Sequence, residues 1–195
     1  MLLPHLGVRM HVQGTPPDFP CVLMANHRSY LDPVVITHDS RVYPVAKAEV
    51  AGWPIVGYGV KVSGVLFLKR ESAESRRNTL QGIADKLAEG FAVLLFPEGT
   101  THAQASTLAF RSGGFKLAAE NGFPVVPVAI EYRNPEDYWI GDDGFLPHFF
   151  RRFGEPSLDV FVHYGSAILD SRADVLMSLT KEWIDAELLN IQKSF

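Results

Sequence analysis

A histidine and an aspartate stand five positions apart in Asn26-His27-Arg28-Ser29-Tyr30-Leu31-Asp32-Pro33, NHRSYLDP. A carboxylate held against one ring nitrogen of an imidazole fixes its tautomer and stabilises the imidazolium. The other nitrogen is then free to take a proton from a hydroxyl. Histidine suits that work near neutral pH. On a continuous helix, positions five apart do not share a face, so a turn or loop must bring the pair together. Otherwise Asp32 reads as a helix cap and His27 as a satisfied polar residue. Two further clusters carry chemistry. Lys69-Arg70 closes GVLFLKR, and an Arg fork there suits phosphate or carboxylate, or pairs with Glu71 or Glu74. Glu98-Gly99-Thr100 follows Phe96-Pro97. Its glycine permits a tight turn or a close ligand approach, and its carboxylate can accept from substrate hydroxyls or from backbone N–H groups of a neighbouring loop.

The elements that must position these residues alternate. Val8 to Val12, Cys21 to Ala25, Val42 to Ala46, Val65 to Leu68, Phe91 to Phe96, Val125 to Ile130 and Leu158 to Tyr164 read as strands. Asp32-Pro33 opens a helix. Ser75 to Glu89 has helical spacing and stops at Gly90, and Phe115 to Asn121 is capped by Gly122. Asp170-Ser171 is expected to cap a last helix carrying Val175, Leu179, Trp183 and Leu188 on one side. This order implies a single α/β domain over residues 1–195, with a mostly parallel or mixed central sheet flanked by helices. Asn26-His27, Lys69-Arg70 and Glu98-Gly99-Thr100 all follow strands, and ligands gather at the carboxyl ends of such strands. The three clusters are therefore expected to share one cleft.

Composition narrows the function. The chain has 195 residues, 47 % hydrophobic and 21 % charged, with a net charge of −4. That charge argues against a nucleic-acid surface, which is strongly basic. The one cysteine, Cys21, lies in an apolar run and reads as a core residue of a protein in a reducing compartment. The seven histidines are dispersed with no metal-ligand spacing, and no glycine-rich nucleotide loop occurs. Neither a targeting segment nor a run of about 18 apolar residues is visible, so no transmembrane segment is expected.

Taken in order, NHRSYLDP, GVLFLKR, LLFPEGTT and FPVVPVAI resemble the four sequence blocks of the glycerolipid acyltransferases, and most nearly the bacterial 1-acyl-glycerol-3-phosphate branch. The resemblance runs from about Val12 to Ile130. It implies that His27 is the general base and Asp32 its orienting partner. It implies acceptor binding by Gly64, Phe67 and Arg70, the arginine on the phosphate, and by Glu98, Gly99 and Thr100, with Lys47 as a second phosphate ligand. Pro127 matches the block associated with the acyl donor. Two features depart from the family. Thr101 and then His102 stand where an arginine is common, with Arg111 in FRSGG as a substitute charge. Only 26 residues precede His27, where relatives often carry apolar helices.

The implied reaction moves an acyl group from a thioester, acyl-CoA or acyl carrier protein, to a lysophospholipid hydroxyl, with no cofactor. The first expectation for the acceptor is 1-acyl-sn-glycerol-3-phosphate, giving phosphatidic acid; a lyso-aminolipid is the alternative. A hydrolase using the same pair on water and a non-catalytic lipid-binding domain are the rivals. The expected site of work is the cytoplasmic face of the inner membrane, bound peripherally. The expected membrane contact is Trp53 to Val60 (WPIVGYGV) or Phe145 to Phe153 (FLPHFFRRF), where phenylalanines insert and Arg151 and Arg152 meet headgroups.

Overall fold

A computed structural model describes residues 3, 7–38, 40–47, 66–68, 73–141, 143–155 and 157–195. Among these residues seven strands form one sheet: β1 (Val8–Gln13), β2 (Val22–Ala25), β3 (Val42–Lys47), β4 (Leu66–Leu68), β5 (Ala92–Leu95), β6 (Val125–Tyr132) and β7 (Leu158–Tyr164). Their order is β1-β7-β6-β2-β5-β3-β4. Every neighbouring pair is parallel except β6 with β7. The sheet is thus mixed, and its antiparallel pair turns β7 and β1 against the rest.

The helices are α1 (Asp32–Ile36), α2 (Ala73–Ala88), α3 (Gly113–Asn121), α4 (Phe145–Phe153) and α5 (Ala173–Gln192). Side-chain alternation along the central strands gives the sheet two buried faces. Leu23 and Ala25 of β2 and Val126, Val128, Ile130 and Tyr132 of β6 share a core with Leu31, which precedes α1, and Val35 and Ile36 of α1, and Phe145 and Phe149 of α4 pack on it. Val22 and Met24 turn the other way, onto Ile83 and Leu87 of α2, Phe115 of α3 and Leu176 of α5. Burying both faces explains why these strands read as near-continuous apolar runs.

Several elements differ from expectation. β6 runs two residues past Ile130, to Tyr132. FLPHFFRRF is helix α4, opened after Gly144. Arg172, not Asp170 or Ser171, is the N-cap of α5. It makes no side-chain cap bond, and Asp170 Oδ1 instead accepts the Arg172 N–H at 2.8 Å. The buried side of α5 carries Leu176, Thr180, Ile184, Leu188 and Ile191, while Leu179 is 44 % exposed. Two adjacent stripes of this helix are apolar enough to be buried, and the sheet's position selects the one with Thr180.

Gly14, which follows β1, has φ 80°, and a Cβ built there would lie 2.5 Å from the Tyr164 carbonyl oxygen. The left-handed backbone and the clash with main chain both oppose any side chain. Gly14→Ala is therefore expected to cost at least about 2 kcal/mol, read as a lowered denaturant midpoint.

Candidate active site

β2 leaves the sheet at Asn26 by exchanging side-chain for main-chain bonds. The Asn26 amide donates to the Ile130 carbonyl and accepts the Ile130 N–H, both at 2.8 Å. The ladder to β6 is continued by a side chain, and the backbone is released into the His27–Leu31 loop. α1 starts at Asp32, where the carboxylate reaches back. Asp32 Oδ2 accepts the N–H groups of Arg28 at 2.6 Å and Ser29 at 2.9 Å, and meets His27 Nδ1 at 2.8 Å. The loop therefore does what a helix could not, and brings residues five apart into contact.

Asp32 is fully buried, and its Oδ1 accepts the Tyr132 hydroxyl at 2.6 Å. A carboxylate oxygen that already takes two N–H donors acts as acceptor toward the ring as well. The proton of His27 thus sits on Nδ1, and Nε2 is left with its lone pair. Nε2 has no hydrogen-bond partner among the described residues, and the side chain is 20 % exposed. The ring stacks on Phe96 at the end of β5, with centroids 4.1 Å apart. An oriented imidazole with an open Nε2 can take a proton from a hydroxyl placed against it.

The third block lies beside the first because β2 and β5 are parallel neighbours, with Met24 opposite Leu95. Gly99, at φ 73°, closes the turn by donating its N–H to the Phe96 carbonyl at 3.1 Å. Glu98 is turned inward. Its Oε1 accepts the His27 N–H and its Oε2 the Leu108 N–H, each at 3.3 Å, and Oε2 also meets His102 Nε2. Of the two uses open to Glu98 in the sequence, the backbone one is seen: it ties the loop beyond it to the turn that carries His27. Thr100 is exposed at the rim.

His102 does not replace the arginine common in the family. It is buried, its Nδ1 accepts the Gln104 N–H at 3.1 Å, and its Nε2 faces Glu98. Arg111 is exposed, and its backbone N–H donates to the Pro97 carbonyl at 2.9 Å, beside the Glu98 turn. Pro127 is buried in β6. A Cβ on Gly165 would lie 2.7 Å from Pro127 and 2.8 Å from Trp183, so Pro127 packs toward α5, away from the face of Asp32. Lys47 ends β3 and Phe67 lies in β4; both strands run parallel to β5, toward the edge that carries His27. Gly64, Arg70 and the stretch Trp53 to Val60 lie outside the described residues. Cys21 is buried, and burial pushes its thiol up to about 12, which suits a core residue and not a nucleophile.

Three residues of the site escape a reading of the sequence. Arg28 is wholly buried. It donates to the carbonyls of Gln104 at 2.6 Å and His102 at 3.2 Å, and to Glu131 Oε2 at 3.0 Å. Glu131 in turn accepts from Tyr138 at 2.7 Å and from Gln192 of α5 at 2.9 Å. Tyr132 shares its strand face with Val126, Val128 and Ile130. That period of two, carried two residues further, is the signal that marks it as inward-facing.

α4 is clipped to the His27–Leu31 loop. His148 Nδ1 meets the Tyr30 hydroxyl at 3.2 Å, and its Nε2 meets the Tyr138 carbonyl at 2.9 Å. The expectation that both Arg151 and Arg152 face headgroups is corrected for Arg152. It is 3 % exposed and ion-paired with buried Asp137, because it lies on the face that packs on the domain. Phe149 also packs inward, whereas Leu146, Phe150 (66 % exposed) and Arg151 face out.

The chain is thus a mixed α/β sheet with an oriented histidine at its carboxyl edge. The crystal structure of the 1-acyl-sn-glycerophosphate (LPA) acyltransferase PlsC from Thermotoga maritima has the same fold, with a TM-score of 0.70 over 97 % of this chain and 75 % of that one, at 22 % identity. Residues 8–131 match the Acyltransferase family model, and the chain belongs to that family. It is 33 % identical over 183 residues to a lyso-ornithine lipid O-acyltransferase of Rhizobium meliloti (strain 1021), covering 84 % of this chain and 62 % of that protein. It is 36 % identical over 151 residues to a lyso-ornithine lipid O-acyltransferase of Pseudomonas aeruginosa, covering 75 % and 58 %. The chloroplastic 1-acyl-sn-glycerol-3-phosphate acyltransferase BAT2 of Brassica napus is 30 % identical over 175 residues, covering 89 % and 48 %. The chain thus spans about three-fifths of the first two relatives.

Proposed function

We propose that this chain transfers an acyl group from a thioester, acyl-CoA or acyl carrier protein, to the hydroxyl of a lysolipid. His27 Nε2 takes the hydroxyl proton as the oxygen attacks the thioester carbonyl. The tetrahedral intermediate collapses, the carbon–sulfur bond breaks, and the imidazolium returns the proton to the departing thiolate. Ester and free thiol are the products, and no acyl-enzyme forms. Asp32 holds the Nδ1 proton throughout and stabilises the imidazolium. The observation that carries this reading is the 2.8 Å contact of His27 Nδ1 with a buried, fourfold-bonded Asp32, beside an open Nε2. By the resemblance of the second block, the acceptor headgroup is assigned to Arg70 and Lys47, with Gly64 and Phe67.

The acceptor is a lyso-aminolipid in preference to 1-acyl-sn-glycerol-3-phosphate. An ornithine head carries one carboxylate and one ammonium, where a phosphomonoester carries up to two negative charges. In the third block Thr101 is neutral and His102 is committed to Glu98, so Arg111 is the only exposed cation described in that loop. Without the arginine common after Glu-Gly-Thr, the third block adds less positive charge to the headgroup side, which disfavours a phosphomonoester more than a single carboxylate. The names of the two lyso-ornithine lipid relatives support the same choice.

Products from a panel of lysolipids, with both donors offered, test the proposal by mass spectrometry. Acylated lyso-ornithine lipid in excess of phosphatidic acid is expected. Excess phosphatidic acid reverses the acceptor assignment. Thioester loss without any acylated acceptor replaces transfer by hydrolysis.

Both lipids are amphiphiles, so the chain works at a bilayer surface, on the cytoplasmic side where thioester donors are found. Among the described residues no helix is long and apolar enough to cross a membrane. The docking surface is the outer face of α4, where Leu146 and Phe150 lie one turn apart beside Arg151. Replacing Leu146 and Phe150 together by Ser is expected to lower co-flotation with vesicles several-fold, while activity on detergent-dispersed lysolipid persists. Unchanged flotation would reject α4 as the contact.

A further inference from the structure

Asp32 is held by four donors, and one of them comes from a strand 100 residues away. The Arg28 N–H, the Ser29 N–H and the His27 ring all converge on Oδ2. Among the described residues Tyr132 alone serves Oδ1, at 2.6 Å, and both residues are fully buried. Tyr132 stands on the β6 face that looks toward α1, so the strand's alternation aims the phenol at the carboxylate. Burial, and then the Asp32 charge, hold the phenol well above its usual range, so it stays protonated and donating through neutral pH. The Ser29 hydroxyl is a further hydrogen-bonding neighbour of the same phenol.

Resting on the reading of His27 as the base, we propose that Tyr132 is a positioning residue of the catalytic pair, whose hydroxyl fixes the Asp32 carboxylate and sets how strongly it holds the His27 imidazolium. A hydrogen bond to Oδ1 draws negative charge away from Oδ2, which faces the ring. Without it, Oδ2 attracts the imidazolium more strongly, and the carboxylate loses the contact that opposes its rotation. The first change makes His27 harder to deprotonate; the second spoils its aim.

Tyr132→Phe keeps the ring and removes only the hydroxyl. The expected loss in kcat is about tenfold, the scale of one hydrogen bond to a charged group, with KM for the lysolipid unchanged. The acidic limb of the pH–rate profile should move to higher pH, and the nitrogen-15 titration of the His27 ring should move with it. The nitrogen titration needs no substrate, so it decides this proposal even if the acceptor panel shows no transfer at all. Incorporating 3-fluorotyrosine at position 132 retains the hydroxyl and strengthens it as a donor. It should displace both readings to lower pH, and it covers the case in which Tyr132→Phe fails to fold. A lower melting temperature with both titrations in place would make Tyr132 a packing residue and overturn the proposal. Titrations that stay in place in the fluorinated protein would overturn it equally.

Discussion

His27→Ala is expected to leave the fold intact and to lower turnover by about 10²–10⁴-fold, the range carried by positioned proton transfer. The ring is partly exposed and stacks on Phe96, and no core position depends on it. Its loss removes the proposed general base. Asp32→Asn is the sharper test because it preserves shape. An amide oxygen in the place of Oδ2 can still take the two backbone N–H groups and the Nδ1 proton, but its NH₂ then faces the Tyr132 hydroxyl, which loses its acceptor. The amide also carries no charge, so the imidazolium formed on proton transfer loses its stabilising partner. A loss similar to that of His27→Ala is expected, with circular dichroism unchanged. The measurement is single-turnover acyl transfer with a saturating donor. Near wild-type rates in both variants would place the base elsewhere.

Arg28→Ala is expected to cost about 3–5 kcal/mol of stability, because it leaves a buried carboxylate without its cation. Both Arg28 and Glu131 are inaccessible to solvent, and the guanidinium also lies over the Tyr138 ring at 5.4 Å. Two carbonyls of the loop after Glu98 lose their donor at the same time. The urea midpoint should fall by at least about 1 M, given ordinary denaturant slopes. The double variant Arg28→Met with Glu131→Leu should be milder than Arg28→Ala, since replacing both charges by apolar groups removes the uncompensated one. A double variant as damaging as the single one would show that the guanidinium bonds to the Gln104 and His102 carbonyls, and not the ion pair, dominate.

Much of this protein was legible in residue order. Strands alternate with helices because short β-branched runs alternate with segments of helical spacing. Turn glycines such as Gly90 and Gly122 adopt the positive φ that their positions require. The pairing of His27 with Asp32 follows from local chemistry, and the adjacency of both to Glu98 from the order of the strands. A Pro-initiated helix lets its first carboxylate reach back over a short loop, and β2 and β5 run parallel side by side. Tertiary structure alone decided the rest. Arg28 reads as one more polar residue of a loop, and its burial exists only because Glu131, 103 positions on, arrives opposite it. His102 looks like a spare cation until Glu98 and Gln104 are seen to occupy both its nitrogens. α5 offers two apolar stripes, and the sheet beneath it chooses one. Arg152 and Phe150 are near neighbours in one helix, yet the former is ion-paired inside and the latter is exposed. In each case the residue's role depends on a partner distant in sequence, and local periodicity carries no information about which partner that will be.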